Sequence, residues 1–523
     1  MGWAPAFIAD LGRTSQCAYT VRKMPTFTIL PGVPGTVARS DQSSVGLVAL
    51  SPGAPLALSS QSLSIPSFAV GQTQWRIALS GIEAGQWATT ALPRGAACEV
   101  FRQTSAVSVA ERIILGQSRD VAGIGPQSIV SGWGPLALVI SRPEARVSPS
   151  SSDTNDAALF ANCQATGNAL ALSAPFNFGT HTTLQFASAP PMQRETGRPG
   201  AVLITPSSGD PYIVTFTGVS GNDLTGVSTT AEHGTSGSNA SAGDIVQEVC
   251  WINRHPVDMA RRVLVSTGTG TNGPHDTLPE SWGLGIPAHL IDAAGFLDTS
   301  TALNATLSSG SYVVNAVATT PQGPALQWLQ TELNRYGLWL CTRQGQITIR
   351  PALDYWRHGP SFVMALTDDN IISAALPERS NYDSGNTAEA VFFTAKGETV
   401  LDTFIVTESP KTRPLLPTID NGPIVDAFPS VYQNQAQINE SIARRVGPWH
   451  MRIAIVVEVQ ATLSAARLCV GDWVSITHRG LWDHTSTVPR GTLRAAMVTA
   501  MSCDWSAGVV ALRLHILPQS TEA

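Results

Sequence analysis

The fold class this sequence predicts is mainly β with minor α content: several β-barrel or sandwich domains and one small α/β domain. Two observations predict it. Short apolar-alternating runs, punctuated by Gly and Pro, fill residues 25–155 and 159–250 and return beyond Pro448. Helical periodicity is confined to three short stretches between them.

In chain order, residues 25–155 hold the runs "GLVAL", "QWRIALSGI", "CEVFRQ", "ERIILGQ" and "GPLALVISRP". Each is a strand-length segment bounded by turn residues. Residues 143–158, rich in Ser, Pro and Asp, read as a linker or exposed loop. The expected division is therefore an N-terminal β domain over 1–155, an inserted small β domain over 156–250, an α/β domain over 251–385 and a C-terminal β domain over 386–523. The first 25 residues carry no assignment and are expected to form an arm that orders on assembly.

In the small domain, "GAVLITPSSGDPYIVTFTGVSG" gives two strands around a Ser-Ser-Gly-Asp-Pro turn. The first helix is expected at 256–265, with Pro256 at its first turn and Val257, Ala260, Val263 and Leu264 at helical spacing. A second helix places Leu326, Leu329, Leu333 and Tyr336 on one face, stops at Gly337 and leads into a hairpin, "LWLCTRQGQITIRP". A third places Ile438, Ile442 and Val446 on one stripe and ends at Gly447-Pro448. The closing runs "RIAIVVEVQ", "GDWVSITHRG", "RAAMVTAMSCDW" and "GVVALRLHILP" complete a barrel or sandwich. "RGAACEVFRQ", "ERIILGQ" and "GPLALVISRP" near the start parallel "VGDWVSITHRG", "RAAMVTAM" and "GVVALRLHILP" near the end, which suggests an internal duplication.

Composition narrows the function. Only 13% of residues are charged, the net charge is -6 and no Lys/Arg run exceeds a pair, so the footprint of a dedicated nucleic-acid reader is missing. A neutral, hydroxyl-rich surface suits burial against neighbouring subunits. The seven cysteines (Cys17, Cys98, Cys163, Cys250, Cys341, Cys469, Cys503) are scattered and never form C-x-x-C, which argues against zinc or a disulfide framework and for reduced packing residues. The N-terminus lacks a signal-peptide pattern and no apolar run reaches membrane-span length, so folding in a cytosol is expected.

Gly268, Gly270 and Gly273 in "STGTGTNGP" have G-x-G-x-x-G spacing. A dinucleotide turn must follow a strand and open a helix. Here a helix precedes the glycines, and Pro274 and Pro279 block one behind them. No nucleotide site is expected. His255, Asp258, His275, Asp276 and Glu280 form one acid-base cluster, and Asp472, His478, Asp483 and His484 a second, but neither has standard ligand spacing. Asp368-Asp369 read as a turn, and Trp473, Trp482 and Trp505 as core or interface anchors that could alternatively stack on sugars. No nucleophile elbow, zinc helix, Walker loop or EF-hand is present. The expectation is no enzyme, no cofactor and no metal.

Taken together, "HPVDMARRVLVSTGTGTNGPHDTLPESWGLGIP", "LQWLQTELNRYGLWLCTRQGQITIRP", "LCVGDWVSITHRG" and "MVTAMSCDWSAGVVALRLHILP" resemble the baseplate hub proteins of long-tailed bacteriophages and of related gene transfer agents. The family-like motifs are the loop glycines Gly268, Gly270 and Gly273, the W-G-x-G-I-P turn at Trp282, Gly283, Gly285, Ile286 and Pro287, and the G-D strand start at Gly471 and Asp472. The strong part covers about residues 200–523. One departure is Thr225-Gly226-Val227-Ser228, where an Arg-Gly turn is expected.

This resemblance implies a non-enzymatic homotrimer in the virion tail, assembled in the host bacterial cytoplasm. It would join the sixfold tail tube to tail-tip or fibre proteins and let phage DNA pass without specific binding. The runner-up is a receptor- or carbohydrate-binding β protein of the tail tip, and a third reading is a cell-wall hydrolase working through a His/Asp cluster.

Overall fold

A computed structural model describes residues 3–11, 17–23, 27–28, 36–37, 44–47, 57–64, 69–70, 74–80, 97–104, 111–122, 127–133, 169–190, 192, 199–231, 237–265, 286, 290–307, 310–318, 329–330, 332–334, 336–353, 358–375, 378–379, 388–393, 399–404, 424–428, 440, 444, 455–478, 493–505 and 507–516. The fold is mainly β, as the alternating runs predict.

The N-terminal part holds helix α1 (Pro5–Asp10) and strands β1 (Cys17–Lys23), β2 (Phe27–Thr28), β3 (Thr36–Val37), β4 (Ser44–Leu47), β5 (Ala57–Ser64), β6 (Ala69–Val70), β7 (Gln74–Ser80), β8 (Ala97–Thr104), β9 (Glu111–Ala122) and β10 (Gln127–Trp133). The small domain follows with β11 (Ala169–Ala171), β12 (Thr183–Gln185), β13 (Gly200–Thr205), β14 (Tyr212–Phe216), β15 (Gly218–Ser220), β16 (Asp223–Thr225) and β17 (Ile245–Arg254). Its hairpin β13–β14 buries Val202, Ile204, Tyr212, Val214 and Phe216 around the turn the sequence predicts.

Helix α2 (Pro256–Val265) lies where Pro256 and the apolar spacing put it. Helix α3 (Ala293–Asn304) carries no apolar stripe of that kind and is legible only through its cap, where the Asp292 carboxylate accepts the Gly295 N–H at 3.0 Å. Strand β18 (Val314–Ala318) pairs with β17. The described residues of the second expected helix, Leu329, Gln330, Glu332, Leu333 and Asn334, are helical, as are Glu440 and Arg444 of the third. The expected hairpin is β19 (Leu338–Arg343) with β20 (Gln346–Pro351). Its turn sets Gln344 at φ 49° and Gly345 at φ 69°, a left-handed pair that a glycine makes accessible.

Strands β21 (Met364–Thr367), β22 (Ile371–Ala374) and β23 (Glu378–Arg379) lead to a separate sheet of β24 (Ala388–Phe393), β25 (Thr399–Phe404) and β26 (Ile424–Phe428). The chain closes with β27 (Ile455–Thr462), β28 (Trp473–Thr477), β29 (Arg494–Asp504) and β30 (Val509–Ile516).

Both ends of the chain share one large sheet, ordered β22-β27-β30-β29-β5-β7-β10-β9-β8-β1-β4. Inside it the same unit occurs twice. In the N-terminal part the strands β7, β8, β9 and β10 lie in the spatial order β8-β9-β10-β7. In the C-terminal part β27, β28, β29 and β30 lie in the order β28-β29-β30-β27, all antiparallel in both.

The registers agree residue by residue. On β9 the ladder to β10 slips between Ser131 and Gly132, leaving Arg119 as the extra residue; on β29 the ladder to β30 slips between Val498 and Ala500, leaving Thr499. Aligning the two bulges makes Ser118 equivalent to Val498 and Gly132 to Leu514. It also makes Cys98 equivalent to Val474, because Cys98 faces Gly116 as Val474 faces Ala496. Trp75 then matches Val457, and Ile77 matches Val459. All four are buried, while Arg76 and its equivalent Glu458 are exposed. The sequence pairing of the first two runs is therefore that of β8 with β28 and β9 with β29. The counterpart of β30 in the first repeat is β10 (Gln127–Trp133), and "GPLALVISRP" lies outside the described residues.

The N-terminus corrects an expectation. Residues 3–11 are part of the core: Trp3, Phe7 and Leu11 are buried in one cluster with Trp75, Ile77, Val457, Val498, Trp505 and Leu514. Trp3 Nε1 donates to the Arg112 carbonyl at 2.7 Å, and the Trp3 N–H donates to Gln344 Oε1 at 2.8 Å. An apolar one-turn helix that closes the core of both repeats is a structural plug.

Candidate interface at the seam between the two repeats

Strand β29 is longer than any single neighbour. Its first part pairs with β28, from Ile476 opposite Arg494 to Trp473 opposite Met497. Its second part pairs on the same side with β5, from Ser62 opposite Ala500 to Leu58 opposite Asp504. The bulge at Thr499 lies between the two partners, and the Thr499 hydroxyl donates to the Arg513 carbonyl at 3.1 Å. The other edge of β5 pairs with β7. One serine-rich strand thus stitches the first repeat to the second through main-chain hydrogen bonds, which depend little on side-chain identity.

Gln61 anchors this strand to the α/β hairpin. With its amide set so that oxygen meets donors, it accepts the Thr342 N–H at 2.8 Å. Along the seam runs a groove of about 700 Å³, bordered by Ser60, Ser62, Gln74, Ser373, Gln460 and Ser502. Its charged side chains are Glu458 and Arg513, which face each other across the β27–β30 ladder. Ala374, Val459, Met501 and Leu512 complete a lining that is part polar and part apolar and has no net charge.

A second junction holds the hairpin β19–β20 against the C-terminal repeat. Arg350 Nη2 lies 2.9 Å from Asp472 Oδ1, and Arg350 Nε lies 3.3 Å from Cys469 Sγ. Asp472 Oδ2 also accepts the Cys469 N–H at 2.9 Å. Gly471 has φ 91°, and a Cβ there would overlap the ring of Trp339. The Gly471-Asp472 motif is a packing device: glycine admits an indole, and aspartate meets a buried arginine. Arg350 is the partner that sequence reasoning missed, because 122 positions separate it from Asp472 and nothing local links them.

The other candidate residues do not converge. Asp258 pairs with Arg254 at 3.4 Å and with Arg262 at 3.2 Å. His255 contacts Asn304 at 3.2 Å and Ser300 at 3.4 Å, and burial holds its imidazole below the ordinary value. His478 lies 3.3 Å from Asp368, in the turn that Asp368-Asp369 were expected to form, while Asp472 is committed to Arg350. His275, Asp276, Glu280, Asp483 and His484 lie outside the described residues. So do Gly268, Gly270, Gly273, Trp282, Gly283, Gly285 and Pro287 of the family-like motifs. Ile286 is buried and its N–H donates to the Leu264 carbonyl at 2.8 Å, tying that turn to α2.

Trp473 and Trp505 are buried, so neither offers a face to a sugar, and Trp482 lies outside the described residues. Among the described residues no cluster of three or more His, Cys, Asp or Glu could hold a metal ion, and no helix is long and apolar enough to cross a membrane. Cys98, Cys341, Cys469 and Cys503 are free and buried. Burial pushes the Cys503 thiol up to about 12 and raises that of Cys341 as well, which makes both poor nucleophiles.

No protein-family model and no curated protein matches this chain. Among solved structures it is similar to a tail protein from Neisseria meningitidis MC58, with a TM-score of 0.40, 10% identity and coverage of 95% of this chain and 96% of that one. It is also similar to the 43 kDa tail protein of prophage MuSo2 from Shewanella oneidensis, with a TM-score of 0.38, 11% identity and coverage of 96% and 98%. A chain of a native gene transfer agent particle matches with a TM-score of 0.18 and 14% identity over 47% of this chain and 83% of that one. Scores this low mark a loose likeness in strand layout and carry no functional conclusion.

Proposed function

We propose that the protein is a structural component of a phage-type tail: a baseplate or tail-tip hub that assembles as a homotrimer, faces the sixfold tail tube on one side and tip or fibre proteins on the other, and lines the DNA exit path. It performs no catalysis in this reading. The observation that carries the proposal is the duplication of the β8-β9-β10-β7 unit as β28-β29-β30-β27, with the bulge at Arg119 repeated at Thr499. Three copies of a chain with two equivalent β units offer six equivalent edges, which is what contact with a sixfold ring requires. The sequence resemblance to hub proteins supports the same reading.

The groove along the seam carries one basic side chain, Arg513, set opposite the carboxylate Glu458. This balance supports a DNA-facing role, because each unbalanced basic side chain on such a path would add an attraction to passing phosphates. The deciding experiment is the solution mass by light scattering across concentration and salt. A mass three times the 55.1 kDa chain is expected. A single-chain mass at every concentration, both alone and with the cognate tail-tube ring protein added, would remove the trimeric hub.

A further inference from the structure

Two of the buried cysteines meet at the junction between the hairpin β19–β20 and the C-terminal repeat. Cys341 lies on β19 and Cys469 just before the Gly471-Asp472 strand start, and both are 0% exposed in one core cluster with Trp339, Val470 and Trp473. Cys341 Sγ donates to the Val470 carbonyl at 3.9 Å, and the Cys341 and Cys469 side chains are in hydrogen-bond contact. On its other side Cys469 Sγ accepts the Arg350 Nε–H at 3.3 Å, and Asp472 holds that guanidinium at 2.9 Å. Cys98 and Cys503 belong to the large core cluster instead.

Two thiols in contact can share a soft metal ion or become a disulfide. The guanidinium decides between these outcomes. It fills the space between Cys469 and Asp472 that a metal ion would need, and its charge repels a cation. The same N–H, a charge-assisted donor, steadies negative charge as it builds on the Cys469 sulfur. Burial keeps Cys341 in its thiol form, so Cys469 is the sulfur placed to react first.

Access comes through the hairpin. Strands β19 and β20 pair with each other as a two-stranded sheet. Side chains tie them to their neighbours: Arg350 to Asp472, the Trp339 ring against Gly471 and the Gln61 amide on Thr342. Contacts of this kind open locally at a lower cost than a strand inside a large sheet, and a lifted hairpin uncovers both thiols together.

We infer that Cys341 and Cys469 are a redox-active pair that hydrogen peroxide converts to an intrachain disulfide, locking the hairpin to the C-terminal repeat. In the first step the Cys469 sulfur attacks the peroxide: an S–O bond forms, the O–O bond breaks and water leaves, giving a sulfenic acid. In the second the Cys341 sulfur attacks Cys469: an S–S bond forms, the S–O bond breaks, and the hydroxyl leaves with the Cys341 proton as a second water. The pair gives up two electrons and one peroxide takes them. Closing two sulfurs from hydrogen-bond contact to a bond of about 2.05 Å is a movement of about 1–2 Å, within reach of side-chain rotation. Thiol exchange in a reducing compartment reopens the bond, and an oxidising one preserves it.

The test uses the full chain, reduced and then titrated with hydrogen peroxide. Remaining thiols are blocked with N-ethylmaleimide, and the digest is mapped without reduction by mass spectrometry. A Cys341–Cys469 cross-linked peptide should be the first disulfide to appear, within one chain, and dithiothreitol should remove it. The thermal midpoint of the oxidised chain should rise by about 2–5 °C and return on reduction, because the bond closes a long loop. Cys341→Ala should leave a sulfenic acid on Cys469 that dimedone traps, and Cys469→Ala should leave Cys341 unlabelled at the same dose.

Recovery of both thiols unreacted, at doses that oxidise them in the urea-unfolded chain, would overturn the proposal. That mapping needs no variant, so it decides the matter even where a substitution impairs folding. Peroxide-driven pairing of either cysteine with another cysteine first would overturn it as well. A Cys341–Cys469 bond that leaves the thermal midpoint unchanged would remove the lock. Dimedone labelling of Cys341 in Cys469→Ala, without labelling of Cys469 in Cys341→Ala, would overturn the assigned order of attack.

Discussion

Arg350 of β20 and Asp472 at the start of β28 form a buried ion pair, 2.9 Å apart, that locks the α/β hairpin to the C-terminal repeat. Removing one partner leaves the other charge in a site without water. Asp472→Ala should therefore destabilise the protein by about 3–5 kcal/mol, whereas an apolar pair such as Arg350→Met with Asp472→Leu should recover most of the loss. Urea titration followed by tryptophan fluorescence measures both. Equal losses in the single and double variants would contradict this account.

Gly471 precedes that aspartate and adopts a left-handed conformation against the Trp339 ring. An alanine there meets backbone strain and a steric overlap at once, so Gly471→Ala should cost about 2–4 kcal/mol. The partner variant Gly471→Ala/Trp339→Phe, with a smaller ring, should lose less than the sum of its single changes. Additive losses would mean that the indole is not the obstacle.

Phe7 of α1 is fully buried, 5.3 Å from Trp3 between ring centroids, with the Arg102 guanidinium 5.9 Å above its ring. Phe7→Ala should cost about 3–5 kcal/mol by cavity formation. An N-terminal arm that ordered only on assembly would show no loss in the unassembled chain, so thermal unfolding of that species discriminates the two.

His515 of β30 is 2% exposed, and burial, with a smaller contribution from Arg513, brings its imidazole down to about 4. The ordinary value is about 6.5, so over the interval between the two the unfolded chain binds a proton that the folded chain refuses. The stabilisation is complete above about pH 6.5 and is lost as pH falls through about 4, with an upper size of about 3 kcal/mol. His255, also lowered by burial, acts in the same direction. His515→Gln should flatten part of that decline when unfolding free energy is measured at intervals from pH 7.5 to pH 4. An unchanged slope would assign it to other groups.

How much of this was legible in the chain differs by element. The strands β7, β27 and β30 follow from period-two alternation, since one face of each is buried and the other is not, whereas β28 and the first half of β29 are apolar runs buried on both faces. Helix α2 follows from Pro256 and the spacing of Val257, Ala260, Val263 and Leu264. Helix α3 escaped because its buried positions are Gly295, Phe296, Thr299 and Leu303, a set with too few large apolar residues to raise a periodic signal. Helix α1 escaped because six residues are too few to show periodicity at all.

The candidate interface was less legible than the strands. Two similar sets of runs suggested a duplication, but the match of β10 with β30 rests on main-chain register and on bulges at Arg119 and Thr499, which no residue type announces. The seam is Ser59-Ser60-Gln61-Ser62 against Met501-Ser502-Cys503, where the serines let backbones pair and Gln61 reaches Thr342 of the hairpin.

By itself, the sequence determined the local states: which segments alternate, where prolines and glycines break them, and that few charges are left for a surface. The tertiary structure alone decided which strand edges meet, that residues 3–11 close a core common to both repeats, and that Arg350 faces Asp472. Local states are set by interactions within a few residues, which leave a periodic trace in the chain. Edge pairing and buried ion pairs join positions more than 100 residues apart through a geometry that exists only once the sheet has formed.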